Sequence, residues 1–112
     1  MRVFLTGGTG LLGSHIAKEL RSHGHEVVAL HRRAASTRFL YDLGCDLVEG
    51  DVRDAAESLQ PLLEGCTHLV HGAAEVYSGG IWPKIRAINV DGTRHVLTAA
   101  RLAGVEHVVH MS

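Results

Sequence analysis

A glycine-rich stretch near the N-terminus has the residue types and spacing of a phosphate-binding loop. It follows the apolar run Val3–Leu5 and reads Thr-Gly-Gly-Thr-Gly-Leu-Leu-Gly over residues 6–13. Gly7 permits a tight turn off a strand, Gly10 keeps side-chain atoms away from a pyrophosphate, and Gly13 lets a following helix pack closely. The free N–H groups and the positive end of that helix would face the phosphates. The alternative is a glycine turn with a purely structural role. We predict a dinucleotide site formed by Gly7, Gly8, Thr9, Gly10, Leu11, Leu12 and Gly13.

The end of the second apolar run indicates which dinucleotide this site would favour. A carboxylate there would accept hydrogen bonds from the adenosine ribose and favour NAD. The chain instead has His31-Arg32-Arg33, and two guanidinium groups could hold a 2′-phosphate through charge-assisted hydrogen bonds. We therefore predict that Arg32 and Arg33 make NADP the preferred cofactor, with NAD as the second possibility. An exposed basic turn is the alternative interpretation.

Five short apolar runs alternate with helical patterns and set the frame that would position these residues. The runs are continuous rather than alternating, which is typical of strands buried on both faces of a parallel sheet. The order β-α-β-α-β-α-β-α-β, with right-handed crossovers, predicts an α/β doubly wound sheet of Rossmann type, and residues 1–112 form one NAD(P)-binding domain. The predicted strands contain Val3–Leu5, Val27–Leu30, Leu47–Val48, Leu69–Val70 and Val108–Val109.

Four helices are predicted between the strands. The first has Leu12, Ile16 and Leu20 on one apolar stripe and ends at Gly24. The other three are a short helix before Gly44, a helix over Ser58–Glu64 that contains Pro61, and a long helix from Ile85 to Ala103 that ends at Gly104. A helix tolerates proline only in its first turn, so Pro61 should lie in the first turn of the third helix.

Composition excludes several classes of function. The chain has 112 residues, with 11 basic and 12 acidic side chains and a net charge of -1. We therefore expect no nucleic-acid partner, and no apolar run reaches the ~20 residues that a membrane span needs. Cys45 and Cys66 have no metal-like or redox spacing, which favours reduced, packed thiols in the cytoplasm. The nine histidines, which include the pair His68 and His71, lack a third ligand at zinc spacing. We expect scattered histidines on the surface or at strand edges, and no metal site.

Five motifs together resemble the extended short-chain dehydrogenase/reductase family, the NAD(P)-dependent epimerase/dehydratase group. The resemblance covers essentially the whole chain and is greatest to the dihydroflavonol-reductase-like and sugar-epimerase-like branches. Besides the glycine loop, the motifs are Gly50-Asp51-Val52, His71-Gly72-Ala73-Ala74, Asn89-Val90-Asp91-Gly92-Thr93 and Val108-Val109-His110-Met111-Ser112.

The resemblance implies roles for residues outside the glycine loop. Asp51 would accept a hydrogen bond from the adenine amino group and Val52 would pack on the ring, although a turn or cap role for Asp51 is the alternative. Ala73 and Ala74 would let the backbone pass close to the nicotinamide half. Asn89 would support the active site from within the long helix. Gly92 of the same motif needs a packing reason, because a glycine inside a helix costs ~1 kcal/mol relative to alanine.

The chain departs from the family where catalysis is concerned. The family uses a Ser or Thr after the fifth strand and a Tyr-x-x-x-Lys pair, in which tyrosine handles the substrate hydroxyl proton and lysine lowers its pKa. Neither Tyr41 nor Tyr77 is followed four residues later by lysine. Ser112 matches the first hydroxyl of the family's small-residue run after the fifth strand and is a candidate on that ground, whereas the resemblance places the catalytic hydroxyl itself at the residue after it. The loop from Glu75 to Pro83 lies on the substrate side and serves either binding or packing.

The leading hypothesis is the N-terminal, cofactor-binding portion of a longer NADP-dependent reductase, epimerase or dehydratase. Its substrate would be a small carbonyl or hydroxyl compound or a nucleotide sugar, and the full-length protein could form a homodimer. The 112-residue chain alone is predicted to be inactive. The alternatives are a non-catalytic NADP-binding sensor or regulator, and a partner polypeptide that supplies the missing half.

Overall fold

A five-stranded, all-parallel sheet forms the centre of the molecule. The computed structural model describes residues 1–73 and 82–111, and its sheet has the order β3-β2-β1-β4-β5. This confirms the predicted fold class and places the reversal of strand order between β1 and β4. The strands are β1 Arg2–Thr6, β2 Glu26–His31, β3 Asp46–Glu49, β4 His68–His71 and β5 His107–His110.

Helices connect successive strands and cover both faces of the sheet. One apolar cluster packs Leu5 and Val27 with the first two helices, and the other packs Phe4 and Leu69 with the later ones. Adjacent residues of β1 thus enter opposite clusters, as the doubly wound arrangement requires. The helices are α1 Leu11–Ser22, α2 Arg38–Asp42, α3 Ala56–Leu59 with a 3-10 segment Gln60–Leu63, α4 Trp82–Arg86, a π-helical segment Ala87–Gly92, and α5 Thr93–Leu102.

Burial differs from the sequence prediction at the sheet edges. Residues 3–5 and 27–30 are buried as predicted, but Val108 and Val109 of β5 are 47% and 58% exposed. Leu47 and Val48 of β3 are half-buried. The physical reason is position: β3 and β5 are the outer strands, so each pairs with a neighbour on one side only.

The predicted apolar stripe of α1 is also wrong in its details. Leu12 is 61% exposed, whereas the fully buried positions of α1 are Gly13 and Ala17. Ile16 and Leu20 lie at the margin of the contact. Small residues occupy the buried positions of α1 because Gly13 lies against the backbone of Gly7 and Ala17 packs in the cluster that contains Leu5 and Val27.

The third and fourth helices depart from the regular α-helices that the sequence predicts. The segment predicted over residues 58–64 begins at Ala56 and changes to a 3-10 helix at Gln60, with Pro61 in the first turn of that segment. The long helix is interrupted by the π-helical segment. The hydroxyl of Thr93, the first residue of α5, donates to the carbonyl oxygen of Asn89 in the π-helical segment at 2.9 Å. This bond competes with the backbone hydrogen bonds of an α-helix.

Within the described ranges, no helix combines the length and the apolar character that crossing a membrane would require.

Candidate functional site

A groove of about 250 Å³ opens at the carboxyl ends of the strands, at the reversal of strand order. This is where ligands bind in open α/β sheets. It brings together seven of the predicted cofactor-binding residues with residues that the predicted site did not include. The predicted ones are Gly7, Thr9, Gly10, Arg32, Asp51, Val52 and Ala73, and the others are Thr6, Leu30, His31, Gly50, Gly72 and Ile88.

Two glycines of the loop are required by the protein's own packing. Gly7 has φ +79°, and a Cβ atom there would lie 2.5 Å from the carbonyl carbon of Gly72. A Cβ atom at Gly13 would overlap the carbonyl oxygen of Gly7. Gly7 therefore lets the turn lie against the backbone that follows β4, and Gly13 lets α1 lie against the turn. The positive φ of Gly7 is the tight turn expected from the sequence.

Gly10 has no such packing requirement. A Cβ atom there would meet only the Gly7 carbonyl oxygen, at 3.5 Å, and φ -81° with ψ 173° is open to any residue. Gly10 is the N-cap of α1 and lines the groove, and within the described residues no side chain caps this helix. The uncapped N–H groups and positive helix end fit a diphosphate group.

The remaining loop residues do not line the groove. Gly8 is buried against Leu5 and Leu40, so its small size serves the core. Leu11 and Leu12, 82% and 61% exposed, have side chains directed away from the core.

A second cleft of about 240 Å³ adjoins the groove at the ends of β2 and β3. Arg32, Gly50 and Asp51 line both spaces, whereas Arg33 lines only the second. Arg32 and Arg33 are exposed, and no described residue forms a salt bridge with either guanidinium group. Two cations thus stand available at the position predicted for a 2′-phosphate.

Asp51 is a turn residue and an ion-pair partner as well as a groove residue. Its Oδ1 accepts from the backbone N–H of Arg53 at 2.9 Å, and its Oδ2 accepts from Nη2 of Arg53 at 2.7 Å. The bonded guanidinium holds the pKa of the Asp51 carboxyl below its usual range against the opposing effect of burial. The turn role that the sequence left as an alternative is therefore present, and the carboxylate is ionised at neutral pH.

An apolar surface forms part of the groove wall beside Asp51. Leu30, Val52 and Ile88 are each 6–7% exposed and line the groove. A Cβ atom at Gly92 would lie 2.6 Å from Cγ2 of Val52. The close approach of the π-helical segment to this loop supplies the packing reason that the helical glycine requires.

The predicted residues of the nicotinamide side are described only in part. Ala73 lines the groove at the end of β4, and Asn89 lies half-buried in the π-helical segment but does not line the groove. Ala74, Ser112 and most of the predicted 75–83 loop fall outside the described residues.

Sequence reasoning missed a buried hydrogen-bond network centred on His71. Thr6 and His71 are fully buried, with 2.7 Å between Thr6 Oγ1 and His71 Nδ1. The other ring nitrogen, Nε2, lies 2.9 Å from Oγ1 of Thr93. His71 was expected at the surface or a strand edge, and that expectation is wrong. Its partners lie 65 and 22 positions away in the chain, so no local pattern could have indicated them.

Burial, and secondarily His110, lowers the pKa of His71 to about 4. Its ring lies 5.3 Å from that of His110, and no cluster of three potential metal ligands is found in the described portion of the chain. His71 is therefore neutral at physiological pH.

Acidification should destabilise the fold through His71 before the carboxylates respond. Since the pKa of His71 is about 4 in the fold and ordinary when unfolded, the unfolded chain binds this proton first as the pH falls. The contribution of the neutral His71 ring to the free energy of unfolding is complete above pH ~6.5. It is lost as the pH falls towards 4, at about 1.4 kcal/mol per pH unit. Urea unfolding at pH 7 and pH 4.5 should differ by about 2–3 kcal/mol. His71→Gln should remove most of this difference, and His110→Gln should reduce it less, because His110 is the lesser of the two causes of the lowered pKa. Equal stabilities of the unsubstituted protein at the two pH values would contradict the prediction.

The comparisons with known proteins agree with this geometry. The chain matches the model of the NAD dependent epimerase/dehydratase family over residues 3–112. The chain belongs to this family. The family and the fold predicted from the sequence are thus confirmed, and the family is an NAD(P)-dependent, oxidoreductase-like one.

Relatives and solved structures of the family resemble the chain along nearly its whole length. A Synechocystis sp. protein provisionally named dihydroflavonol 4-reductase is 39% identical over 97% of this chain and 32% of its own length. A UDP-glucose-4-epimerase from Stenotrophomonas maltophila, with bound NAD and formylated UDP-arabinopyranose, is 28% identical with a TM-score of 0.87, covering 98% of this chain and 36% of that one. WbmG of Bordetella bronchiseptica, in complex with NAD, is 32% identical with a TM-score of 0.84 and the same coverage. The chain spans about a third of the length of these family members.

Proposed function

We propose that the chain is the cofactor-binding part of an NADP-preferring epimerase, dehydratase or reductase. The enzyme transfers a hydride between the nicotinamide and a carbonyl or hydroxyl carbon of a small molecule. The observation that carries the proposal is the groove at the carboxyl ends of the strands, which meets the uncapped N-terminus of α1 at Gly10. A diphosphate there gains both the free N–H groups and the helix dipole.

The residues along the groove match the successive parts of a dinucleotide. The adenosine ribose lies towards Arg32 at the end of β2, with the adenine against Asp51 and Val52, and the diphosphate lies at Gly10. The nicotinamide half extends to Ala73 at the end of β4. Ala74 lies outside the described residues and keeps only the role that the family resemblance implies. Arg32, Asp51, Val52, Gly10 and Ala73 all line the groove.

The preference for NADP rests on the two unpaired arginines. A 2′-phosphate between Arg32 and Arg33 forms charge-assisted hydrogen bonds of about 1.5–3 kcal/mol each, whereas a 2′-hydroxyl forms none of comparable strength. Three carboxylates line the same cleft, those of Glu49, Asp51 and Asp54, and their negative charges limit the preference. Two of the similar structures contain bound NAD, so NAD remains the second cofactor.

The substrate belongs to the small carbonyl, hydroxyl or nucleotide-sugar compounds. The support is the family membership and the nucleotide sugar named with one similar structure. When bound, the nicotinamide supplies the hydride chemistry. Asn89 and Ser112 keep the supporting and catalytic roles that the family resemblance implies.

Calorimetric titration of the protein with NADP and with NAD tests the proposal. NADP should bind more tightly, and Arg32→Ala should weaken NADP binding about ten- to a hundredfold while changing NAD binding little, because the lost bonds involve only the 2′-phosphate. Arg38→Ala is the matched control, since Arg38 pairs with Asp42 and does not line the groove.

Two results would refute the proposal at different levels. Equal affinity for the two nucleotides, or an unchanged preference in Arg32→Ala, would refute the NADP assignment alone. Absence of binding by both nucleotides would refute the cofactor-binding function itself.

A further inference from the structure

The buried network around His71 joins the three segments that form one end of the groove. Thr6 ends β1 and leads into the glycine loop, His71 ends β4, and Thr93 follows the π-helical segment. The Thr6 hydroxyl oxygen also accepts from the backbone N–H groups of Gly72 and Ala73, each at 3.1 Å. These hydrogen bonds link the three segments to Gly72 and Ala73, which line the groove at the end of β4.

The protons of this network have one consistent arrangement. The Thr93 hydroxyl donates to the Asn89 carbonyl oxygen, so its oxygen must accept from Nε2–H of His71. In a neutral imidazole the other nitrogen, Nδ1, is then an acceptor and takes the proton of the Thr6 hydroxyl. The Thr6 oxygen keeps its lone pairs for the two backbone N–H groups. Each donor is used, and the described part of the chain contains no unsatisfied buried side-chain polar atom.

The position of the network relative to the groove suggests more than fold stability. Gly72 and Ala73, whose N–H groups are held by Thr6, line the groove at the opposite end from Arg32. A dinucleotide with its adenosine at the end of β2 places its other half there. Ile88, which also lines the groove, directly precedes Asn89, whose carbonyl oxygen ends the network.

We propose that His71 is a positioning residue that, through Thr6 and Thr93, sets the backbone of Gly72 and Ala73 where it meets the nicotinamide half of the cofactor. This rests on the proposed dinucleotide-binding function. His71 does not line the groove, so it acts through the backbone that it holds rather than by touching the cofactor.

Thr93→Val tests the proposal because it removes the acceptor of the His71 Nε2–H group with little change of shape, and Thr93→Ser retains the hydroxyl. The ligands are NADP and 2′-phospho-ADP-ribose, which lacks the nicotinamide. We expect Thr93→Val to weaken NADP binding about tenfold, the effect of one well-formed hydrogen bond. Binding of 2′-phospho-ADP-ribose should change less than twofold, and Thr93→Ser should bind both ligands as the unsubstituted protein does.

NMR of the His71 ring nitrogens gives a test that requires no substitution. We expect Nε2 to carry the proton at neutral pH. A proton on Nδ1 would overturn the proposal, whether or not Thr93→Val folds. This signature depends on the order of donors and acceptors, which a merely space-filling residue would not fix.

The binding results separate this inference from the proposed function. A Thr93→Val protein that is less stable but binds NADP normally would reduce the network to a structural role and overturn the inference. Equal weakening of both ligands would also overturn it, because the effect would not be confined to the nicotinamide half. If the unsubstituted protein binds neither ligand, the proposed function fails and the inference fails with it.

Discussion

Gly10→Ala should weaken NADP binding more than a hundredfold while leaving the protein folded. The added methyl group meets only the Gly7 carbonyl oxygen, at 3.5 Å, and the backbone angles suit alanine. The expected loss of stability is therefore about 1 kcal/mol or less, the usual cost of alanine at an N-cap. With the diphosphate placed at Gly10 as we propose, the methyl group would stand between it and the first turn of α1. Calorimetric titration with NADP and urea unfolding measure the two effects.

Gly8→Ala is the matched control for this substitution. Its methyl group would point at Leu5 and Leu40, away from the groove, so it should lower stability and leave binding to the folded protein nearly unchanged. A Gly10→Ala protein that binds NADP with unchanged affinity would contradict the placement of the diphosphate.

Gly13→Ala, three residues further along the chain than Gly10, should instead cause a large loss of stability. Alanine is ordinarily preferred inside a helix by about 1 kcal/mol, but here the new Cβ atom would overlap the Gly7 carbonyl oxygen. Relief requires α1 to move away from the turn, and we expect a net loss of about 3 kcal/mol, the upper part of the range for overpacking. For a protein of ordinary stability this is a large fraction of the total.

Urea unfolding of Gly13→Ala gives the measurement, and Ser14→Ala, one residue along the same helix, is the control. Ser14 is only half-buried and its hydroxyl bonds to the Leu11 carbonyl within the helix, so its removal should change the free energy of unfolding far less. If Gly13→Ala is as stable as the unsubstituted protein, the contact between α1 and the loop is not as close as described.

The parts of the fold that follow from local pattern could be predicted from the sequence. Apolar runs separated by helical spacing indicated the five parallel strands, and Gly24 and Gly104 mark helix ends with φ +81° and +84°. The glycine loop could also be located, because its position between a strand and a helix restricts its use.

Features set by close approach or by distant partners could not be predicted. The apolar pattern predicted a stripe that includes Leu12, because it favours large residues. The structure instead buries Gly13 against the glycine loop and Ala17 in the apolar cluster of β1 and β2. The π-helical segment depends on hydrogen-bond register, which residue types barely encode. His71 looks like any histidine on a short strand until Thr6 and Thr93 are brought beside it.

A crystal structure of the protein with NADP would show where the diphosphate lies. We expect it at the N-terminus of α1, with its oxygens within hydrogen-bonding distance of the backbone N–H groups of Leu11 and Leu12 and with the 2′-phosphate beside Arg32. A groove that stays empty at saturating NADP, or a nucleotide whose diphosphate lies away from α1, would contradict this expectation.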